Sequence, residues 1–301
     1  MVTERASIAG YFMELQDAIC LGLEKEDGAG RFREDSWLRE GGGGGRSRIM
    51  QEGDLIEKGG VNFSEVHGEI PPNIRQEFGG STGSFYATGL SLVLHPRNPF
   101  VPIVHMNVRY FGLGEGTWWF GGGMDLTPHY IFTEDAEQFH RMLQSTCTHF
   151  DPAFYDRFKD WADQYFYIAH RDETRGVGGI FFDRLDTSTQ HSFEHLFAFI
   201  RSVGDTFLPA YLPLAAKNRD RPYGDRHRKW QLLRRGRYAE FNLVYDRGTR
   251  FGLETGGRTE SILMSLPPLA SWEYDNKPES GTPEAYTLQM LKKGIKWTEG
   301  S

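Results

Sequence analysis

Apolar residues recur at spacings of three and four over residues 3–26, where Ile8, Tyr11, Phe12, Leu15, Ala18, Ile19 and Leu23 form one stripe. That period predicts an amphipathic helix ending near Gly28. From Ser47 to Leu126 the pattern shortens to apolar and β-branched runs separated by Gly, Pro and Asn, which predicts consecutive antiparallel strands at 85–94, 102–111 and 117–120. Helical spacing returns over 134–150 and 152–169, with Asp151-Pro152 between them, and again over 190–217 and 226–236. Further strands are predicted at 178–183, 238–245 and 261–266, and a last helix over 283–293. Strands, then helices, then strands without βαβ alternation argue for an α+β fold, one sheet covered by helices. No internal repeat breaks the chain. The five consecutive glycines at 41–45 read either as a flexible linker or as a loop that lets backbone approach a ligand. The expected organisation is a single domain: an N-terminal helix and Gly-rich loop (1–45), a core (46–275), and a C-terminal helix and tail (276–301).

A chain of 301 residues can bury a large core, and no apolar run approaches the roughly 20 residues of a membrane span. Cys20 and Cys147 form no C-x-x-C pair, so neither a disulfide framework nor a thiolate zinc site is expected. Without a basic segment leading into an apolar stretch at the N-terminus, the expected location is cytoplasmic. The net charge of −7 argues against a nucleic-acid partner. Within that sum lies a bias: of 34 basic residues, 25 are arginine. The planar guanidinium suits bidentate capture of carboxylate or phosphate, which points to a small anionic ligand.

No Gly-Lys dipeptide, no G-x-G-x-x-G opening a helix after a strand and no H-E-x-x-H occurs, so nucleotide, dinucleotide and zincin readings lose their usual support. Strand alternation over Val104-His-Met-Asn-Val-Arg-Tyr110 places His105, Asn107 and Arg109 on one face and Val104, Met106, Val108 and Tyr110 on the other. One face is core; the other is chemistry or an ordinary polar surface. Over 240–246 the same alternation sets Glu240, Asn242 and Asp246 against Phe241, Leu243 and Tyr245, with Asp246 and Arg247 at the strand mouth. An Asp there is also a common turn cap. Trp118-Trp-Phe-Gly-Gly-Gly-Met-Asp-Leu-Thr-Pro128 joins aromatics to three glycines and a carboxylate, Asp125, which reads as an active group or a cap. Arg171 and Arg175, four apart, would lie side by side on a helix. With Arg109, Arg234, Arg235, Arg237, Arg247 and Arg258 they could line a pocket for several carboxylates.

These segments, together with E-S-I-L-M-S-L-P-P, resemble the signature stretches of oxygen-dependent coproporphyrinogen III oxidase, in the family's order from about Gly41 to Tyr274. The resemblance implies a homodimer built on a flat antiparallel sheet between helical layers. It implies an enzyme that converts the ring A and B propionates of coproporphyrinogen III to vinyl groups, giving protoporphyrinogen IX, CO2 and H2O2 in haem biosynthesis, with O2 as co-substrate and no organic cofactor. Carried over by position, His105 is the family's proposed proton donor, and Asn107, Val108 and Arg109 its substrate-contacting strand. Ser91, Gly256, Gly257 and Arg258 match further substrate contacts. Asp246 would accept hydrogen bonds from pyrrole N–H groups, with Arg247 beside it, and Arg171, Arg175 and Arg235 would serve the substrate's four carboxylates.

His95, His105, His140 and His170 match positions proposed as divalent-metal ligands in the family's bacterial branch. Imidazoles suit such metals, but the four spacings follow no compact ligand motif. Two positions depart from the family's habit: Phe100 stands where many relatives carry histidine, and Ser271 where arginine is common. Two rivals would use much of the same composition, a non-enzymatic tetrapyrrole carrier and a metal-dependent oxygenase acting on another substrate.

Overall fold

The period-two stretches pair into one seven-stranded antiparallel sheet, seen in a computed structural model that describes residues 2–70, 83–114, 116–254 and 257–299. After helix α1 (Val2–Asp27) come β1 (Arg33–Leu38), β2 (Gly43–Gln51), β3 (Ile56–Glu69), β4 (Ser84–Pro96), β5 (Ile103–Leu113) and β6 (Thr117–Thr127). Helices α2 (Thr133–Thr148) and α3 (Phe154–Tyr165) follow, then a small hairpin of β7 (Tyr167–Ile168) and β8 (Glu173–Thr174). Strand β9 (Gly178–Leu185) closes the sheet, whose order is β1-β2-β3-β4-β5-β6-β9. Five helices complete the chain: α4 (Phe193–Asn218), α5 (Asp225–Val244), α6 (Arg247–Glu254), α7 (Thr259–Leu263) and α8 (Pro283–Met290). The α+β class and the helical layers on both faces are as expected.

The two faces differ in kind. Val104, Met106, Val108 and Tyr110 of β5 point to a core shared with Leu90, Leu92 and Leu94 of β4 and Phe120 and Met124 of β6. Over them lie α1, through Ile8, Phe12, Leu15, Ile19 and Leu23, and α4, through Leu196, Phe199, Val203 and Phe207. Ala18, expected in the stripe of α1, is exposed, and the buried neighbour is Gln16, whose amide donates to the carbonyls of Arg46 and Val61. Gly28 ends α1 at φ 91°, a left-handed cap that glycine takes without a Cβ clash. The opposite face is covered at one end by α5 and α7, where Tyr238 and Met264 pack on Ile49, Val93 and Ile103.

Three expectations fail locally. Residues 41–45 are not a flexible linker: a turn closed by Gly42 N to Arg39 O leads into β2, which pairs on both sides. Residues 238–245 are helix rather than strand. Gly236 reads as a helix end, but it sits inside α5 because the Ser271 carbonyl packs against it, where a Cβ would come within 2.4 Å. Burial then follows helical spacing, with Tyr238, Phe241 and Asn242 inside and Leu243 and Val244 exposed. Residues 261–266 likewise begin in the short helix α7 and not in a strand.

Candidate active site

In an antiparallel pair, directly opposed residues share a face, so β5 fixes what lies beside it. His105, Asn107 and Arg109 are opposed by Val93, Ser91 and Gly89 on β4 and by Asp125, Gly123 and Gly121 on β6. Ser91 lies on the middle strand of seven and is nonetheless exposed, so the helices on this face leave the centre of the sheet open as a cleft. Its floor is made of Ser, Asn and Gly, which gives a low surface on which a flat ligand can rest. Arg109 crosses this floor above Gly121, where an added Cβ would come within 2.7 Å of Arg109 Nε, and its Nη2 lies 3.0 Å from Asp183 Oδ1.

At the enclosed end, Arg175 Nη2 donates to Asp125 Oδ2 at 2.6 Å, and His105 Nδ1 lies 3.3 Å from the same oxygen. The Arg175 guanidinium is boxed by the rings of Phe166 at 4.2 Å and Phe241 at 4.8 Å, contacts that suit a cation stripped of water. Burial alone would raise the Asp125 pKa, but Arg175 and His105 outweigh it and hold the carboxyl below its ordinary range. His105 is pushed below the ordinary imidazole value, first by burial and then by the Arg175 charge.

From His105 a line of contacts leads to Asp246. Nε2 of His105 is 3.2 Å from the Tyr238 hydroxyl, whose ring stacks on the imidazole at 18°. Asn242 Nδ2 donates to that hydroxyl, and Thr249 Oγ1 donates to Asn242 Oδ1 at 2.9 Å. Asp246 stands at the joint of α5 and α6: its Oδ2 accepts from Thr249 N at 2.7 Å, and its Oδ1 accepts from the Tyr165 hydroxyl at 2.9 Å. The capping role open to an Asp at this place is therefore realised, on a helix start and not a strand end. Tyr165 in turn stacks on Phe181 of β9 at 4.2 Å, and Arg247 lies 5.0 Å over the Tyr165 ring. The charge of Asp246 acts on His105, Arg175 and Tyr238, so both ends belong to one electrostatic unit.

The other expected residues are placed less centrally. Val108 turns its side chain into the core. Arg171 and Arg175 share no helix, because α3 stops at Tyr165 and Asp172 turns the chain at φ 54°. Arg171 instead makes a two-pronged pair with Glu240, which also receives His170, Arg237 and the Trp272 indole and is held at a pKa of about 2. Arg235 is fully buried on Glu57 and the Pro96 carbonyl, Arg234 is paired with Glu173, and Arg258 with Asp35. The expected ring of arginines is thus largely taken up by the protein's own carboxylates, with Arg109, beside Asp183, and Arg247 at the open face. Gly257 N bonds the Gly252 carbonyl, and Gly256 lies outside the described residues.

The four histidines do not converge. His140 spans the Tyr155 hydroxyl and the Val177 carbonyl, His170 spans Tyr245 and Glu240, and His95 bonds the Ser265 carbonyl. Among the described residues no group of three or more His, Cys, Asp or Glu is arranged to hold a metal ion. These side chains do not fit a shared metal site. Phe100 packs with Tyr130, Phe132 and His227, and Ser271 lies against α5 through the Leu232 carbonyl.

Sequence reasoning missed Tyr165, Asp183, Tyr238, Asn242 and Thr249. Alternation over 178–183 could have found Asp183 on the face of Phe181. Tyr238 and Asn242 meet one turn apart on α5, and Tyr165 reaches Asp246 from α3, a contact between elements distant in sequence. No described helix is long and apolar enough to cross a membrane. The family model described as coproporphyrinogen III oxidase matches residues 7–297, nearly the whole chain, which includes every residue of the cleft. The chain belongs to the coproporphyrinogen III oxidase family, and with it to the oxidation of coproporphyrinogen III in haem biosynthesis.

Proposed function

We propose that this enzyme is of the oxygen-dependent type and converts the ring A and B propionates of coproporphyrinogen III to vinyl groups, each step consuming O2 and releasing CO2 and H2O2. The observation that carries this reading is the cleft over Ser91, with an exposed cation, Arg109, at its open side and a carboxylate, Asp246, tied to the buried His105 group. An apolar macrocycle with four carboxylates and four pyrrole N–H groups matches a flat floor, a guanidinium at the edge and an acceptor facing the ring nitrogens.

Dioxygen is a triplet and usually needs a cofactor to deliver electrons singly. Here the electron-rich pyrrole supplies them. Asp246 polarises or removes a pyrrole N–H proton, the activated ring adds O2, and the resulting peroxide takes a β-hydrogen of the propionate as its carboxylate leaves as CO2. The two electrons of the broken C–C bond become the new double bond, and the peroxide leaves as H2O2. Asp246 returns its proton to the pyrrole nitrogen as the ring regains its aromaticity, and His105, whose lowered basicity keeps it from holding a proton, relays from solvent the one that turns the departing hydroperoxide into H2O2. Arg109 orients a propionate, and Asn107 and Ser91 contact the macrocycle. No step is routed through a metal.

The family resemblance also supports a homodimer, and the exposed Leu269, Trp272 and Tyr274 offer apolar surface for a second copy. The test is incubation of purified protein with coproporphyrinogen III in air, under strict anoxia, and in air with a stringent chelator. The reading expects divinyl product and stoichiometric H2O2 in air with or without chelator, and neither under anoxia. Product without O2, or loss of turnover on chelation, would overturn it.

A further inference from the structure

Asp183 belongs to none of the roles above, yet regular alternation from the Gly122–Phe182 pair sets it opposite Gly121, on the face of Arg109. Phe120 pairs with Leu185 and Gly122 with Phe182, so two residues of β9, Asp183 and Arg184, oppose the single residue Gly121 of β6. This is a β-bulge, a device that turns a side chain away from its regular direction. Arg184 takes the left-handed conformation at φ 51°, which a non-glycine residue adopts only against a steric cost, and its guanidinium lies 5.1 Å over the Trp119 ring. Gly121 leaves room for the result: a Cβ there would come within 2.6 Å of Asp183 Oδ1. The missing side chain at Gly121 makes room for one contact, Asp183 to Arg109, while the extra residue of the bulge is taken up by Arg184 and returns Leu185 to the core. That pair is itself open to the cleft, with the two side chains 31% and 38% exposed.

We infer that Asp183 is a positioning residue that weakens the hold of Arg109 on the reacting propionate. This rests on the reading of Arg109 as a carboxylate contact. A carboxylate that departs as CO2 loses its charge, so a guanidinium that grips it fully stabilises the ground state more than the transition state and slows the step. A second carboxylate sharing the same guanidinium lowers the grip while keeping the fork in place. The arrangement trades affinity for turnover.

Asp183→Asn keeps an acceptor for Arg109 and removes the competing charge. It is expected to lower both KM for coproporphyrinogen III and Kd for the non-reacting porphyrin, coproporphyrin III, by about threefold to fivefold, with a fall in kcat of similar size. Asp183→Glu keeps the charge and is expected to stay near wild type in all three. If Asp183 merely held Arg109 in place, Asp183→Asn would raise KM and Kd; that result, or no change in either with an unaltered melting temperature, overturns the inference. Arg109→Gln separates the two levels. A large rise in Kd there upholds the carboxylate contact whatever Asp183 does, and an unchanged Kd removes that contact together with the inference.

Discussion

Arg175 Nη2 sits 2.6 Å from Asp125 Oδ2 with both side chains almost wholly enclosed, so each charge depends on the other for its burial. Removing one partner of such a pair strands the other, which typically costs about 3–5 kcal/mol. Arg175→Gln is therefore expected to lose about that much in urea unfolding. An unfolding midpoint equal to wild type would contradict the packing described around Asp125. Because the folded carboxyl is held below its ordinary value, this pair's contribution is complete above the ordinary carboxylate range and is lost as pH falls through the lower, folded value.

The buried histidines give an earlier acid response. His140 is pushed down from the ordinary 6.5 to about 3 chiefly by burial, and His129 is lowered in the same direction for the same first reason. Between those values the unfolded chain binds protons that the folded protein refuses, so stability falls as pH drops below about 6.5. The slope is about 1.4 kcal/mol per pH unit for each such histidine. Unfolding midpoints measured from pH 7 to pH 5 should decline over that range, and His140→Gln should flatten the decline. A stability flat to pH 5 would contradict the assignment of neutral, enclosed imidazoles.

Asp246 caps α6 and, in the proposed reaction, faces the substrate. Asp246→Asn keeps one acceptor oxygen, enough for the Thr249 cap but not for Tyr165 as well, and cannot take up a proton. Loss of a positioned base typically costs about 10²–10⁴ in rate. Steady-state assays are expected to show kcat reduced by at least about a hundredfold, with Kd for coproporphyrin III nearly unchanged. Near-normal turnover would refute the assigned role.

Tyr165 anchors Asp246 from the sheet side. Tyr165→Phe keeps the stack on Phe181 and removes one donor to the carboxylate, a bond to a charged group worth about 1.5–3 kcal/mol. A fall in kcat/KM of about tenfold or more is expected, with little change in melting temperature. If activity is untouched, the orientation of Asp246 does not depend on this hydroxyl.

The centre of the sheet was legible because β5 alternates strictly: His105, Asn107 and Arg109 stand on one face as the period requires, whereas β1 and the glycine start of β2 carry no such pattern. The helix over residues 238–244 was not, because Phe241, Leu243 and Tyr245 mimic alternation and Gly236 mimics a stop, while the cause of that glycine, the Ser271 carbonyl, is distant in sequence. The arginine excess suggested a small anionic ligand, but most of these guanidinium groups meet the protein's own carboxylates: Glu57, Glu173, Glu240 and Asp35. Composition counts charges and carries no information about which partner each will meet. Asp183 needed only the alternation of β9, but its meeting with Arg109 across Gly121 comes from strand pairing that no local pattern carries.

The most direct test is a crystal structure of the protein soaked with coproporphyrin III, refined for the position of the macrocycle. The account predicts a macrocycle lying over Ser91 and Asn107, one carboxylate on Arg109 and the ring nitrogens turned to Asp246. A macrocycle bound out of contact with both Arg109 and Asp246 would contradict it.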